Sequence, residues 1–123
     1  MTRHGHGEGG QATVELALVL PLLVMVLLAV IQVALVGRDS IAVTHAARAA
    51  ARAAVVDPDA ASEVAMSSTR LDGARMNVVV HGDARPGSMV DVTVTYDDPT
   101  DVPLIGRLIG DVELTESLSA RVE

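Results

Sequence analysis

Few residues in this chain have the types and spacing to do chemistry. His4 and His6 could touch one metal ion, but they lie in the glycine-rich opening MTRHGHGEGG, and a zinc ion needs a fuller ligand set than a pair. His45 and His81 are isolated. Asp97, Asp98 and Asp101 crowd one loop and could offer carboxylates to Ca²⁺. Their spacing does not match an EF-hand, so solvated carboxylates are expected there. The stretch GEGG is not a phosphate loop: no strand precedes it, and Gln11 and Ala12 stand where a Lys-Ser/Thr pair would be needed. There is no cysteine, which removes thiol nucleophiles, disulfides and Cys-based zinc sites. No residue set forms a mechanism, so the reading is a non-enzyme without metal or cofactor.

Glu15 is a different case. It stands at the mouth of a long apolar run, GEGGQATVELALVLPLLVMVLLAV. A charged side chain within a bilayer costs about 2.5–3.5 kcal/mol on insertion scales, and less near an end. The charge is either an interface residue that snorkels to water or the point of the segment.

The run that follows must position it. Leu16 to Val36 carries no charge, and its only clearly polar side chain is Gln32. As a helix this run spans roughly 30 Å, the thickness of a bilayer's hydrocarbon core. A secretory signal peptide has a shorter apolar core and a small-residue exit. Here the run instead continues into an Ala-rich helical pattern, which favours a membrane helix. Pro21 removes one backbone donor and is expected to kink that helix. The positive-inside count weakly puts the C-terminal side in the cytoplasm, since Arg3 precedes the run while Arg38, Arg48 and Arg52 follow it; the rigid stem carries Arg48 and Arg52 well beyond the interface.

RDSIAVTHAARAAARAAVV favours helix strongly. One rod is therefore expected to run through Gly37 to Val56, where Pro58 stops it by disfavouring helix at Asp57. On the wheel, Ala42, Ala46, Ala49 and Ala53 form a narrow small-residue stripe suited to close packing by another helix. Arg38, His45, Arg48 and Arg52 form a second stripe, read first as a solvated face and second as a partner surface.

Beyond the rod, Asp59 and Ser62 are cap candidates for a short helix to about Leu71. The period then changes from helical to alternating. RMNVVVHG predicts a strand over Met76 to His81. Pro86 and Gly87 have the order of a type II turn centre. MVDVTVTYDD places Val90, Val92, Val94 and Tyr96 on one face. The last strand puts Val112, Leu114, Leu118, Ala120 and Val122 together, with Glu116 interrupting them at an edge or bulge. Between these strands lies an apolar knot, Leu104, Ile105, Leu108 and Ile109, able to dock on the sheet, the membrane or a partner. The fold class is α+β: a long N-terminal transmembrane helix continuing into an Ala-rich stem, then a short helix and a small antiparallel sheet of about three strands. The Ala-rich stem and the short helix are the expected cover for the sheet. The boundaries are 1–10, 11–37 for the membrane helix, 38–56 for the stem and 57–123 for the head.

The net charge of −7 argues against a nucleic-acid partner, which needs a basic stripe to neutralise phosphates. All nine basic residues are arginine, and none forms such a stripe on the head.

The junction GG–QATVE resembles the class III signal of type IV pilins and pseudopilins. Gly10 precedes Gln11, Glu15 is fifth from Gln11, and an apolar helix begins at once. The resemblance implies cleavage between Gly10 and Gln11 by a prepilin peptidase on the cytoplasmic face, with Glu15 in the family's hallmark role. More narrowly, GQATVELALVLPLLVMVLLAVIQ followed by HAARAAARAAV looks like the TadE-like proteins of Tad (tight adherence) pilus systems. The closing LSARVE after a V-x-V-x-V strand is similar as well. The likeness is specific over Gly9 to Val56 and looser over the head. It implies a minor pilin or pseudopilin in the cytoplasmic membrane, N-terminus inside and head outside. Its partners would be the lipid bilayer, the peptidase, other pilin-like subunits and Tad assembly-platform proteins. The competing reading is an uncleaved single-pass accessory protein whose outer head recruits another envelope component, with Leu104 to Ile109 and the Arg48–Arg52 face as candidate contacts.

Overall fold

The structure, a computed structural model, describes residues 8–123. His4, His6 and most of the expected leader therefore lie outside the described residues. Helix α1 runs from Glu8 to Ala54, a rod of roughly 70 Å at the usual helical rise. It passes through Pro21 and Gly37 without ending. Among the described residues it is the one helix long and apolar enough to cross a membrane. Two boundaries differ from expectation. The helix begins before Gly10, and it ends at Ala54, leaving Val55 and Val56 in a turn. Arg52 lies in the last turn, where a cation complements the negative end of the helix dipole.

The stop is built by Asp57 and Pro58. Asp57 is extended, as a residue before proline prefers, and its side chain accepts from the Asp59 amide at 3.0 Å. A 3₁₀ turn, Pro58–Ala60, leads into α2, Ala61–Ser67. The cap is thus Asp57 rather than Asp59 or Ser62, and α2 stops four residues before the expected Leu71. Its end has a local cause. The Ser67 and Ser68 hydroxyls donate back to the Val64 and Ala65 carbonyls, offering the backbone an alternative to further helix.

Three strands form one antiparallel sheet in the order β1-β2-β3. These are β1, Met76–His81; β2, Met89–Asp98; and β3, Val112–Arg121. The β1–β2 turn has Gly87 at φ 85° and closes with the Ser88 amide donating to Arg85 O at 3.0 Å. This is the type II geometry expected from Pro86-Gly87. The register is unbroken at Glu116, which pairs with Val94. Of the two readings, edge or bulge, the structure shows the edge: β3 is an edge strand, and Glu116 takes its turn, half-buried, on the inward face.

The sheet's inner face packs on α1, and β1 packs on α2. Val90, Val92 and Val94 are fully buried, each contributing about 1.5–3 kcal/mol by removal from water. The helix side of this core is built of alanine: Ala46, Ala47, Ala50, Ala54, Ala61 and Ala65 have no exposed surface. Small side chains let the helix backbone approach the valine layer closely. The outer face is a polar ladder. Thr93 pairs with Ser117 through their hydroxyls at 2.9 Å, and Ser119 donates to the Asp91 carboxylate.

The candidate membrane and assembly surface

Gly10, Gln11 and Glu15 all lie on the exposed surface of α1. No described residue forms an ion pair with Glu15. Its carboxylate therefore stands at the edge of an apolar helix without a counter-charge among the described residues. Gly10 has open space where a side chain would be. The helix runs across the Gly10–Gln11 bond, so a protease would have to unwind its first turns. Glycine, the poorest helix former after proline, makes that inexpensive.

Along the next turns, Leu16, Leu18, Leu20, Leu22, Leu23, Val26 and Leu27 are exposed. A surface this apolar is stable against lipid or protein rather than water. One face differs. Met25, Leu28 and Ala29 are half-buried, Gln32 is buried, and Val36 and Asp39 are again partly covered. These positions step by three and four, and they run on without a break into Val43, Ala46, Ala47, Ala50 and Ala54. The covered stripe of the stem thus begins inside the apolar span.

The small-residue stripe read from the sequence is rotated about a quarter turn from this one. Of its members only Ala46 is buried; Ala42, Ala49 and Ala53 are half-buried at the margin. The fully buried face serves the chain's own sheet. Arg38, His45, Arg48 and Arg52 are exposed on the opposite side.

A cavity of about 340 Å³ lies where α1 leaves the apolar span, with Leu35, Arg38, Asp39, Arg70, Tyr96 and Asp98 among its walls. Asp98 is 4% exposed, and its Oδ2 has no hydrogen-bond partner. Burial, and then the neighbouring Asp39 carboxyl, push the Asp98 carboxyl above its ordinary pKa. Asp101 and Asp111 add to this, while Arg38 sits 3.9 Å from Asp39. Among the described residues no three His, Asp or Glu side chains are grouped to hold a metal ion. The sequence pointed to the Asp97–Asp101 loop but not to Asp39, which comes from a distant segment.

The raised Asp98 pKa has a signed consequence. In the window between its unfolded and folded pKa the native state binds more protons than the unfolded state. Stability from this group is therefore fully present below the unfolded pKa and declines as pH rises through the folded one. Asp98→Asn is expected to stabilise the head at neutral pH and to flatten this dependence. Thermal unfolding from weakly acidic to neutral pH checks it; a variant no more stable than the parent at neutrality contradicts it.

The β2–β3 connection holds the apolar knot. It contains the short helix α3, Gly106–Ile109. Its base is closed by the Thr100 hydroxyl donating to Gly110 O, and its turn by the Gly106 amide donating to Val102 O at 3.1 Å. A Cβ on Gly106 would run into the Thr100 carbonyl oxygen, so the backbone crossing excludes any side chain there. Leu104, Leu108 and Ile109 are exposed. Ile105 is only 5% exposed and faces inward. The alternation follows from Leu104, held at φ 69°, a left-handed conformation that a leucine rarely adopts.

The architecture defines a class: a small α+β head carried on a single membrane-length helix. Within that class, the family model described as TadE-like protein matches residues 10–52. The matched stretch starts at Gly10 and takes in Glu15, the apolar span and most of the Ala-rich stem, so the chain is TadE-like over its long helix. No curated protein and no solved structure matches the chain.

Proposed function

We propose that this chain is a minor pilin or pseudopilin-like subunit of a Tad-type pilus, processed by a prepilin peptidase between Gly10 and Gln11. The observation that carries the reading is Glu15, an exposed charge without a counter-ion among the described residues, inside a TadE-like match that begins at the cleavage glycine. Cleavage creates an ammonium at Gln11. In a filament of staggered helices, Glu15 of one subunit meets that ammonium on a neighbour. The pair offsets a burial that neither charge would bear alone.

In this reading residues 1–10 are a removable leader, 11–37 the membrane helix, 38–56 the stem and 57–123 the extracytoplasmic head. The membrane-facing surface serves two states. Before assembly it meets the lipid bilayer, and afterwards the helices of other pilin-like subunits. Ala42, Ala49 and Ala53, at the margin of the buried stripe, are the stem positions open to a neighbour. Pro21 locally relaxes the rod by leaving one carbonyl without its helical donor. Tad assembly-platform proteins would extract the subunit from the membrane.

The reading requires the N-terminus in the cytoplasm and the head outside. Protease added to spheroplasts is expected to digest the head and leave a membrane-protected fragment containing the apolar span. A head protected until the membrane is broken contradicts the orientation.

A further inference from the structure

The β2–β3 connection, residues 99–111, differs from an ordinary surface loop in two ways. Its buried members, Val102 at 7% and Ile105 at 5% exposure, stand outside the core cluster of the head. Its outer members, Leu104, Leu108 and Ile109, are 55%, 73% and 62% exposed. The backbone is held in this in-and-out arrangement by a left-handed leucine and a glycine with no room for a side chain.

Its place in the fold gives that arrangement a direction. Tyr96, Asp98, Pro99 and Asp101 share a cavity with Leu35, Arg38 and Asp39 of α1. Strand β2 thus ends where α1 leaves the apolar span, and the chain enters the connection at that level. On α1 itself, Gln32 is 5% exposed, and the half-buried positions continue down to Met25. Something covers the helix below the level at which the sheet ends. Two buried apolar side chains without a place in the head core fit that cover.

We propose that residues 99–111 form a membrane-seated foot. Val102 and Ile105 dock on the α1 stripe around Gln32. Leu104, Leu108 and Ile109 enter the acyl chains of the leaflet nearest the head. The foot also shields the Gln32 amide, whose Oε1 has no hydrogen-bond partner, from lipid that could not solvate it. Arg107, exposed between these leucines, has the length to reach back to the phosphates while its stem stays among the chains. Lipid is the occupant because the connection leaves the sheet where α1 enters its apolar span, and its three exposed side chains add to the exposed apolar surface that the span presents.

The proposal rests on α1 being the membrane anchor, so its test carries a separate probe for that reading. The chain has no cysteine, and single cysteines can be spin-labelled cleanly. The full chain would be labelled at Leu108→Cys, Ile109→Cys, Leu22→Cys in the span, or His81→Cys on the head. Each would be reconstituted at high dilution into vesicles of phosphatidylethanolamine and phosphatidylglycerol in equal parts. Labels at 108 and 109 are expected to behave like that at 22: frequent collisions with dissolved oxygen, and loss of collisions with a water-soluble nickel chelate. The label at 81 should collide freely with the chelate. If 108 and 109 follow 81 while 22 follows lipid, the foot is refuted and the anchor stands. If 22 also follows 81, both fail. If 108 and 109 are shielded from both reagents and cross-link between chains, a second copy covers the patch and the lipid assignment is overturned.

Discussion

Glu15→Ala is expected to leave the chain in the membrane and to abolish its entry into a filament. The two effects have opposite signs for one reason. In the bilayer the carboxylate is an exposed charge with no ion-pair partner among the described residues, so removing it makes insertion easier. In the proposed filament it is half of a desolvated pair with the Gln11 ammonium of a neighbour. Breaking such a pair leaves the other charge buried, at a cost of about 3–5 kcal/mol. That is on the order of a hundredfold or more in association per contact. Glu15→Gln keeps the shape and a hydrogen-bonding group but not the charge, and should fail nearly as badly. Comparing membrane-extracted and sheared surface fractions reads both effects. Equal surface recovery of variant and parent removes Glu15 from assembly.

The second large effect is in the stem. Ala50 has no exposed surface and faces the valine layer of the sheet, whereas Ala49 beside it is half-buried at the margin. Ala50→Leu forces new methylene groups into a packed layer, which typically costs about 1–3 kcal/mol. Total stability of a small domain is of order 5–15 kcal/mol, and a head this size sits at the low end. The head of Ala50→Leu is therefore expected to become protease-sensitive while α1 remains inserted. Ala49→Leu should leave the isolated subunit folded and obstruct only packing between stems. Limited proteolysis in vesicles, with pilus recovery from cells, separates the two. A protease-resistant Ala50→Leu head would place the alanine face away from the sheet.

Much of this was legible because it depends on local periodicity. Leu16 to Val36 has one polar residue, Pro58 fixes the stop, and Val90 to Tyr96 alternate cleanly. β1 and the Pro86-Gly87 turn fall where these signals put them. What was not legible lies where local signals are equivocal or a distant segment decides. An alanine-rich helix offers several small-residue stripes, and the wheel cannot choose among them. The sheet chose the face containing Val43, Ala47 and Ala50, not the one centred on Ala42 and Ala49. Asp59 and Ser62 are as good caps by type as Asp57, but the extended residue before Pro58 has the geometry.

The same limit applied to the site. Gly10, Glu15 and the apolar run are contiguous, so their pattern is visible in the sequence. Asp39 and Asp98 meet only because β2 returns along the stem. Ile105 looks like its neighbours Leu104 and Leu108 until the backbone turns it inward. Gln32 was visible as the one polar interruption of the span, but its burial depends on what folds over it.

The most direct test of the central claim is the N-terminus of the mature chain. The protein would be co-expressed with a prepilin peptidase, extracted from membranes, and measured by intact mass and N-terminal sequencing. The expected product is a chain that begins at Gln11 and lacks the ten residues from Met1 to Gly10. A chain that keeps Met1 to Gly10 while a known prepilin in the same cells is cut would contradict it. Without the ammonium at Gln11, Glu15 has no partner to register against.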